Sequence, residues 1–213
     1  MAEEIPDKNL FMMCYALNTQ AIKKLSKEFH VRHCQKNELD QWKAMHFDTP
    51  ELAKKYHDFM TDYVNKVYLP KGDLFFEKCL FICNAEDQPV GTCFAWKSYQ
   101  TISTLHWFKV LKEYEGMGLG RALLSIVMES LSEEDYPLFL HTQPSSYRAI
   151  KLYSDFGFSL LSDPIIGKRH NDLEECLPIL AHYMPKSDFE NLRIAQAPQF
   201  FLDAVDSTDI NEF

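Results

Sequence analysis

Three glycines alternate in the segment that runs from His106 to Met128, reading His-Trp-Phe-Lys-Val-Leu-Lys-Glu-Tyr-Glu-Gly-Met-Gly-Leu-Gly-Arg and then Ala-Leu-Leu-Ser-Ile-Val-Met. Ahead of them the run is apolar and β-like. After them Leu119, Ala122, Leu123, Ile126, Val127 and Leu131 recur at helical spacing, which marks one buried face. The pattern predicts a strand, a tight loop and a helix. The first turn of such a helix has unpaired backbone N–H groups and the positive end of the dipole, so the junction suits an anion. Gly116, Gly118 and Gly120 lack the Cβ atoms that would hold a diphosphate away, and they permit the dihedrals a cradle needs. The plainer alternative is a glycine-rich turn with no ligand. No Gly-Lys-Ser/Thr follows, which excludes a Walker loop, and the Gly-x-Gly-x-Gly spacing fits a dinucleotide fingerprint poorly.

A second block lies downstream: Ser146-x-x-Ala149-Ile-Lys-Leu152-Tyr153-Ser-Asp-Phe-Gly157-Phe158. Taken with the loop Glu115-x-x-Gly118-x-Gly120, it resembles the GCN5-related N-acetyltransferases. Their loop reads Arg/Gln-x-x-Gly-x-Gly/Ala after a strand ending in Val, and their later segment reads Asn-x-x-Ala-x-x-Leu-Tyr-x-x-x-Gly-Phe. The resemblance covers roughly residues 28 to 185. It implies an α/β fold, a mixed sheet with helices on both faces, and acetyl-CoA as co-substrate. It also implies direct transfer of the acetyl group to a primary amine in a ternary complex, the amine belonging to a small molecule before a peptide or protein.

Carried over residue by residue, the resemblance gives backbone groups around Phe108, Lys109 and Val110 to the pantetheine arm. It gives the N–H groups of Gly116, Met117, Gly118, Leu119, Gly120 and Arg121 to the diphosphate. Tyr153 stands at the Leu-Tyr position, where a phenol can protonate a departing thiolate; the bland reading is a core tyrosine. His106 lies four residues before Val110, at the offset where arylalkylamine acetyltransferases carry a histidine, and an unperturbed imidazole suits proton removal near neutrality. By strand alternation it would share a face with Phe108 and Val110, and a structural histidine is the alternative. Ser146 replaces the usual Asn and is expected to cap a helix. Lys112 replaces a common Pro. Glu115 replaces Arg or Gln and sets a carboxylate beside the diphosphate loop, which Arg121, Lys112 and Arg148 could offset. His141 and Thr142 are expected to end a strand facing the same opening.

Composition sets the limits. The chain has 213 residues, 46% of them hydrophobic, and a formal charge of −9. That charge argues against nucleic acid as a partner and weakly favours cationic acceptors. No apolar run is long enough to span a bilayer, and Met1-Ala-Glu-Glu-Ile-Pro-Asp lacks the basic start of a secretory signal, so no membrane partner and a cytoplasmic location are expected. Cysteines 14, 34, 79, 83, 93 and 176 form no Cys-x-x-Cys and no zinc spacing; they read as buried thiols, with no metal site.

Residues 1–27 read as an N-terminal helical extension, with Leu10, Cys14, Leu17, Ala21, Ile22 and Leu25 at helical spacing and Lys23, Lys24 and Lys27 near the helix end. The acetyltransferase-like domain is 28–185. Its strands are expected at 28–33, 78–84, 90–98, 104–110 and 137–142, with 158–161 and 177–184 as a final antiparallel pair. Asn37 caps a short helix, and Thr49-Pro50 opens another with Leu52, Tyr56, Phe59, Met60, Tyr63 and Val67 along one stripe. Residues 186–213 read as a C-terminal helical extension: a capping box at Ser187–Glu190, an apolar Phe200, Phe201, Leu202 and Val205 that must dock on the body or on a second copy in a homodimer, and a frayed 206–213. The rival function is a catalytically silent CoA-binding regulatory or assembly module.

Overall fold

The computed structural model describes residues 5–213, and these form ten strands and nine α-helices. The strands are β1 Leu10–Cys14, β2 His30–His33, β3 Leu80–Cys83, β4 Pro89–Ser98, β5 Ile102–Val110, β6 Leu138–Thr142, β7 Ser159–Leu161, β8 Ile165–Ile166, β9 Arg169–His170 and β10 Ile194–Ala195. The helices are α1 Leu39–Ala44, α2 Pro50–Lys55, α3 His57–Tyr63, α4 Leu74–Lys78, α5 Leu119–Glu129, α6 Tyr147–Phe156, α7 Leu173–Tyr183, α8 Lys186–Glu190 and α9 Gln199–Asp206. Eight strands form one mixed sheet in the order β10-β7-β1-β6-β5-β4-β3-β2, flanked by helices, and β8-β9 form a separate ribbon. β5 and β6 run parallel, with Ser103 opposite Leu138 and Thr104 opposite Phe139. The intervening α5 supplies the crossover that parallel neighbours need.

The chain packs as two units. One holds the chain up to Ala21, Lys97–Thr104 and Ser132–Phe213; the other holds Ile22–Trp96 and Leu105–Leu131. In the first, β1 corrects the helix expected over residues 10–25. Leu10, Phe11, Met12, Met13 and Cys14 are all at most 1% exposed, and they pair antiparallel with β6 on one side and β7 on the other. A strand covered on both faces is a continuous apolar run, and Leu-Phe-Met-Met-Cys is one. The coincidence of Leu10, Cys14, Leu17 and Ala21 at helical spacing outweighed that run in the sequence.

The same correction removes the strand expected at 177–184, because β1 stands beside β7 where that strand was placed. Residues 173–183 are instead helix α7, which buries Leu173, Cys176 and Leu180 at helical intervals despite Pro178 in its interior. α9 starts after Pro198 and buries Phe201 and Val205 in the core of its own unit, with Phe201 stacked on Phe139 at 3.9 Å. The last residues are tied down rather than frayed. Glu212 accepts from the Tyr99 N–H at 2.8 Å and its own N–H donates to the Tyr99 hydroxyl at 3.1 Å, while Arg169 donates to the Phe213 carbonyl.

In the second unit an aromatic core gathers Trp42, Tyr68, Phe75, Phe81, Phe94 and Trp96 from α1, the turn after α3, α4 and the strands β3 and β4. Thr49 caps α2 by accepting from the Leu52 N–H at 3.3 Å, with Pro50 in the first turn. Asn37 caps nothing; Gln35 and Glu38 form the box at that helix start instead. The stripe on α2 and α3 is only half covered: Met60 and Val67 are buried, whereas Leu52, Tyr56 and Phe59 are exposed. No helix among the described residues is long and apolar enough to cross a membrane.

Candidate acyl-donor loop and proton-handling residues

The glycine loop lies in the second unit and follows β5 after a single 3-10 turn, Lys112–Tyr114. Gly116 and Gly118 take φ of 79° and 81°, the left-handed region where glycine carries no steric penalty. Gly118 is the N-cap of α5, and its carbonyl accepts from the Ala122 N–H at 3.1 Å to start the helix. α5 buries Leu119, Ala122, Leu123, Val127 and Met128, so the apolar spacing read from sequence fixes its axis. Nothing lies within 4 Å of where a Cβ on Gly116 would stand. The loop therefore presents open backbone at Gly116, two residues ahead of the helix N-cap, which suits a diphosphate. Met117 is 51% exposed on it. Glu115 is exposed at its entrance, and Arg121 sits half-buried on the first turn.

β5 does not alternate regularly. Trp107 has φ of 51°, and this left-handed step costs a non-glycine residue about 1–2 kcal/mol. It interrupts the face that sequence alternation gave to His106, Phe108 and Val110 together. Two consecutive side chains instead reach one atom: the Trp107 Nε1–H donates to the Tyr68 hydroxyl at 2.9 Å, and that hydroxyl lies 2.6 Å from His106 Nδ1. Tyr68 is fully buried, and burial pushes its phenol well above the usual range. Tyr68 was missed from sequence, where no motif or periodicity singled it out. Lys109 pairs through its side chain with Asp48 at 2.6 Å.

Burial also pushes His106 down from its ordinary 6.5 to about 3, so the premise that it titrates near neutrality does not hold. His46, wedged between Trp42 and Trp107, and His141 are pushed to about 3 as well, burial being the main cause in each case. The sign follows from linkage. These imidazoles bind protons more readily unfolded than folded, so their stabilisation is complete above about pH 6.5 and is lost as pH falls toward 3. We expect the urea midpoint to fall between pH 7.5 and pH 5, with unfolding at pH 5 taking up more than one proton in a potentiometric titration. A midpoint independent of pH across that range would contradict it.

Tyr153, Ser146 and Arg148 lie in the first unit. Tyr153 is 6% exposed on α6, its ring 5.7 Å from that of Phe158. α6 ends at Gly157 with φ of 110°. A Cβ there would lie 2.7 Å from the Ala16 carbonyl oxygen, so only glycine lets the chain leave the helix so close to the segment after β1. Ser146 occupies the N-cap position but makes no side-chain capping bond, contrary to expectation. Arg148 lies over the Tyr147 ring at 5.7 Å. The His141 Nε2 lies 2.9 Å from Asn9 Oδ1, and the ring packs on Phe11.

Among the described residues one group of potential metal donors comes together, His30, Cys83 and Asp87, within 4.8 Å. Asp87 Oδ1 already meets His30 and the Arg32 guanidinium, each at 2.8 Å. A cation there would face that guanidinium, so the cluster reads as an ion-pair hub on the β2 edge.

The family model described as acetyltransferase (GNAT) family matches residues 37–158. Among solved structures, a tandem GNAT protein from the clavulanic acid biosynthesis pathway aligns with a TM-score of 0.51 at 11% identity, over 73% of this chain and 50% of its own. A Drosophila protein aligns with a TM-score of 0.48 at 16% identity, over 73% and 48%. A GNAT-family acetyltransferase from Staphylococcus aureus Mu50 aligns with 0.46 at 16% identity, over 60% and 81%. The chain thus spans about half the length of the first two. No curated protein matches it.

Proposed function

The chain belongs to the acetyltransferase (GNAT) family, and from that premise we propose that it transfers the acetyl group of acetyl-CoA directly to a primary amine, on a small molecule in preference to a protein. The observation that carries this reading is the open glycine loop, left-handed at Gly116 and Gly118, at the start of α5. When bound, acetyl-CoA supplies a thioester carbonyl open to attack by an amine. Loop amides from Gly116 to Arg121 hold its diphosphate, and backbone groups of Phe108, Lys109 and Val110 orient the pantetheine arm. Arg121 and Arg148 add positive charge. Ser146, where relatives have Asn, contributes its hydroxyl. Tyr153 donates its phenolic proton to the departing thiolate. The formal charge of −9 favours a cationic acceptor.

In this reading His106 accepts the amine proton, and Tyr68 sets how. Indole N–H is only a donor, so the Tyr68 oxygen accepts from Trp107. It also meets the Tyr63 side chain, and its bond to Nδ1 has two senses. If the hydroxyl donates, His106 keeps its proton on Nε2 and offers no base there. If Nδ1–H donates to Tyr68, Nε2 becomes the acceptor, and this is the tautomer that catalysis requires. An imidazole held near pKa 3 does not retain the proton it takes, so it must pass it on. Tyr68→Phe should therefore lower kcat about tenfold and displace the acid limb of its pH profile, with the KM for acetyl-CoA unchanged. A wild-type profile in that variant would remove Tyr68 and weaken the case for His106.

The deciding experiment is free-thiol release from acetyl-CoA against polyamines, arylalkylamines, amino acids, aminoglycosides and peptides, run beside thermal unfolding with CoA. Release with one acceptor class supports the reading. Stabilisation by CoA without release from any acceptor would leave the silent CoA-binding module, a reading that the exposed Glu115 beside the loop also favours.

A further inference from the structure

The segment between β1 and β2 brings a lysine onto the glycine loop. The Lys23 backbone N–H donates to Ser125 Oγ at 2.9 Å, and that hydroxyl donates to the Arg121 carbonyl at 2.7 Å. Residue 23 is thereby fastened to the second turn of α5. From this anchor its side chain runs back along the helix to the N-cap. A Cβ on Gly118 would stand 2.6 Å from Lys23 Nζ, 3.5 Å from Cε and 3.8 Å from Cδ. The end of the lysine thus occupies the space that the missing side chain of Gly118 leaves. A bare ammonium is disfavoured at the positive end of a helix dipole, and no carboxylate among the described residues pairs with this one. An anion seated on the loop amides would reverse that balance.

We propose that Lys23 is a binding residue for the diphosphate of acetyl-CoA, its ammonium adding a cation beside Gly118 to the loop amides. The proposal rests on the acetyl-CoA reading. It also accounts for Glu115: where related loops carry Arg or Gln, this one carries a carboxylate, and the cation comes instead from a segment distant in sequence. A lysine ammonium, a compact point charge with three donors, suits this task.

The test is calorimetric binding of CoA and of dephospho-CoA, which keeps the diphosphate but lacks the ribose phosphate, to wild type, Lys23→Ala and Lys23→Arg. Lys23 is exposed, so the variants should fold, and circular dichroism checks this. Lys23→Ala should weaken both ligands about tenfold, the order of one charge-assisted hydrogen bond. Its affinity should also depend less steeply on salt, and Lys23→Arg should restore most of the loss. Wild-type affinity in Lys23→Ala would overturn the proposal, and so would a loss confined to CoA, since Lys23 would then meet the ribose phosphate. Failure of the wild type to bind CoA at all would instead sink the acetyl-CoA reading itself.

Discussion

Tyr153→Phe should lower kcat by about a hundredfold or more, the low end of what a positioned acid contributes, while the dissociation constant for CoA stays within about twofold. The substitution removes one oxygen from a side chain that is 6% exposed. Its ring contact with Phe158 survives, so the fold should hold. Stopped-flow thiol release and calorimetry on the same preparation separate the two quantities. Turnover equal to wild type would take Tyr153 out of the chemistry, and the thiolate proton would then have to come from water. Equal loss of CoA binding would mark it as a packing residue.

The second large effect concerns stability. Phe11→Ala should cost about 3–5 kcal/mol, as aromatic-to-alanine changes in packed cores do. That is a large part of the roughly 5–15 kcal/mol that holds a domain folded. Phe11 is fully buried among Met13, Phe139, Leu161 and Phe201, with the Arg169 guanidinium 4.8 Å above its ring. Urea unfolding with an unchanged m-value and a lowered midpoint would report it. A loss below about 1 kcal/mol, the usual size for a surface position, would mean that residues 10–14 contribute little to the core.

That contrast shows where sequence was informative. The loop and α5 were legible because the glycines have a local reason, left-handed backbone at Gly116 and Gly118, and because the buried face of α5 has a long, regular period. β1 and α7 were exchanged in type because short apolar segments fit both periods, and only their neighbours decide. Nothing local announces that Leu10 will face Thr142. The environment of His106 was hidden for a different reason. One left-handed residue, Trp107, resets which side chains share a face, and no pattern of residue types encodes that step. Tyr68 and Lys23 are matters of long-range packing: each meets its partners across a gap in sequence that periodicity does not bridge.

The placement of β1 also governs how the protein must be made. Leu-Phe-Met-Met-Cys is synthesised well before either of its flanking strands, Leu10 waiting for Thr142 and Met13 for Ser159. Until then a short, uncharged, β-prone stretch stands open to any other extended chain. Such distant pairing makes folding slow relative to helical topologies. Chaperone dependence and inclusion-body formation on overexpression should therefore track β1, easing when a charge is placed in it even as the native state weakens.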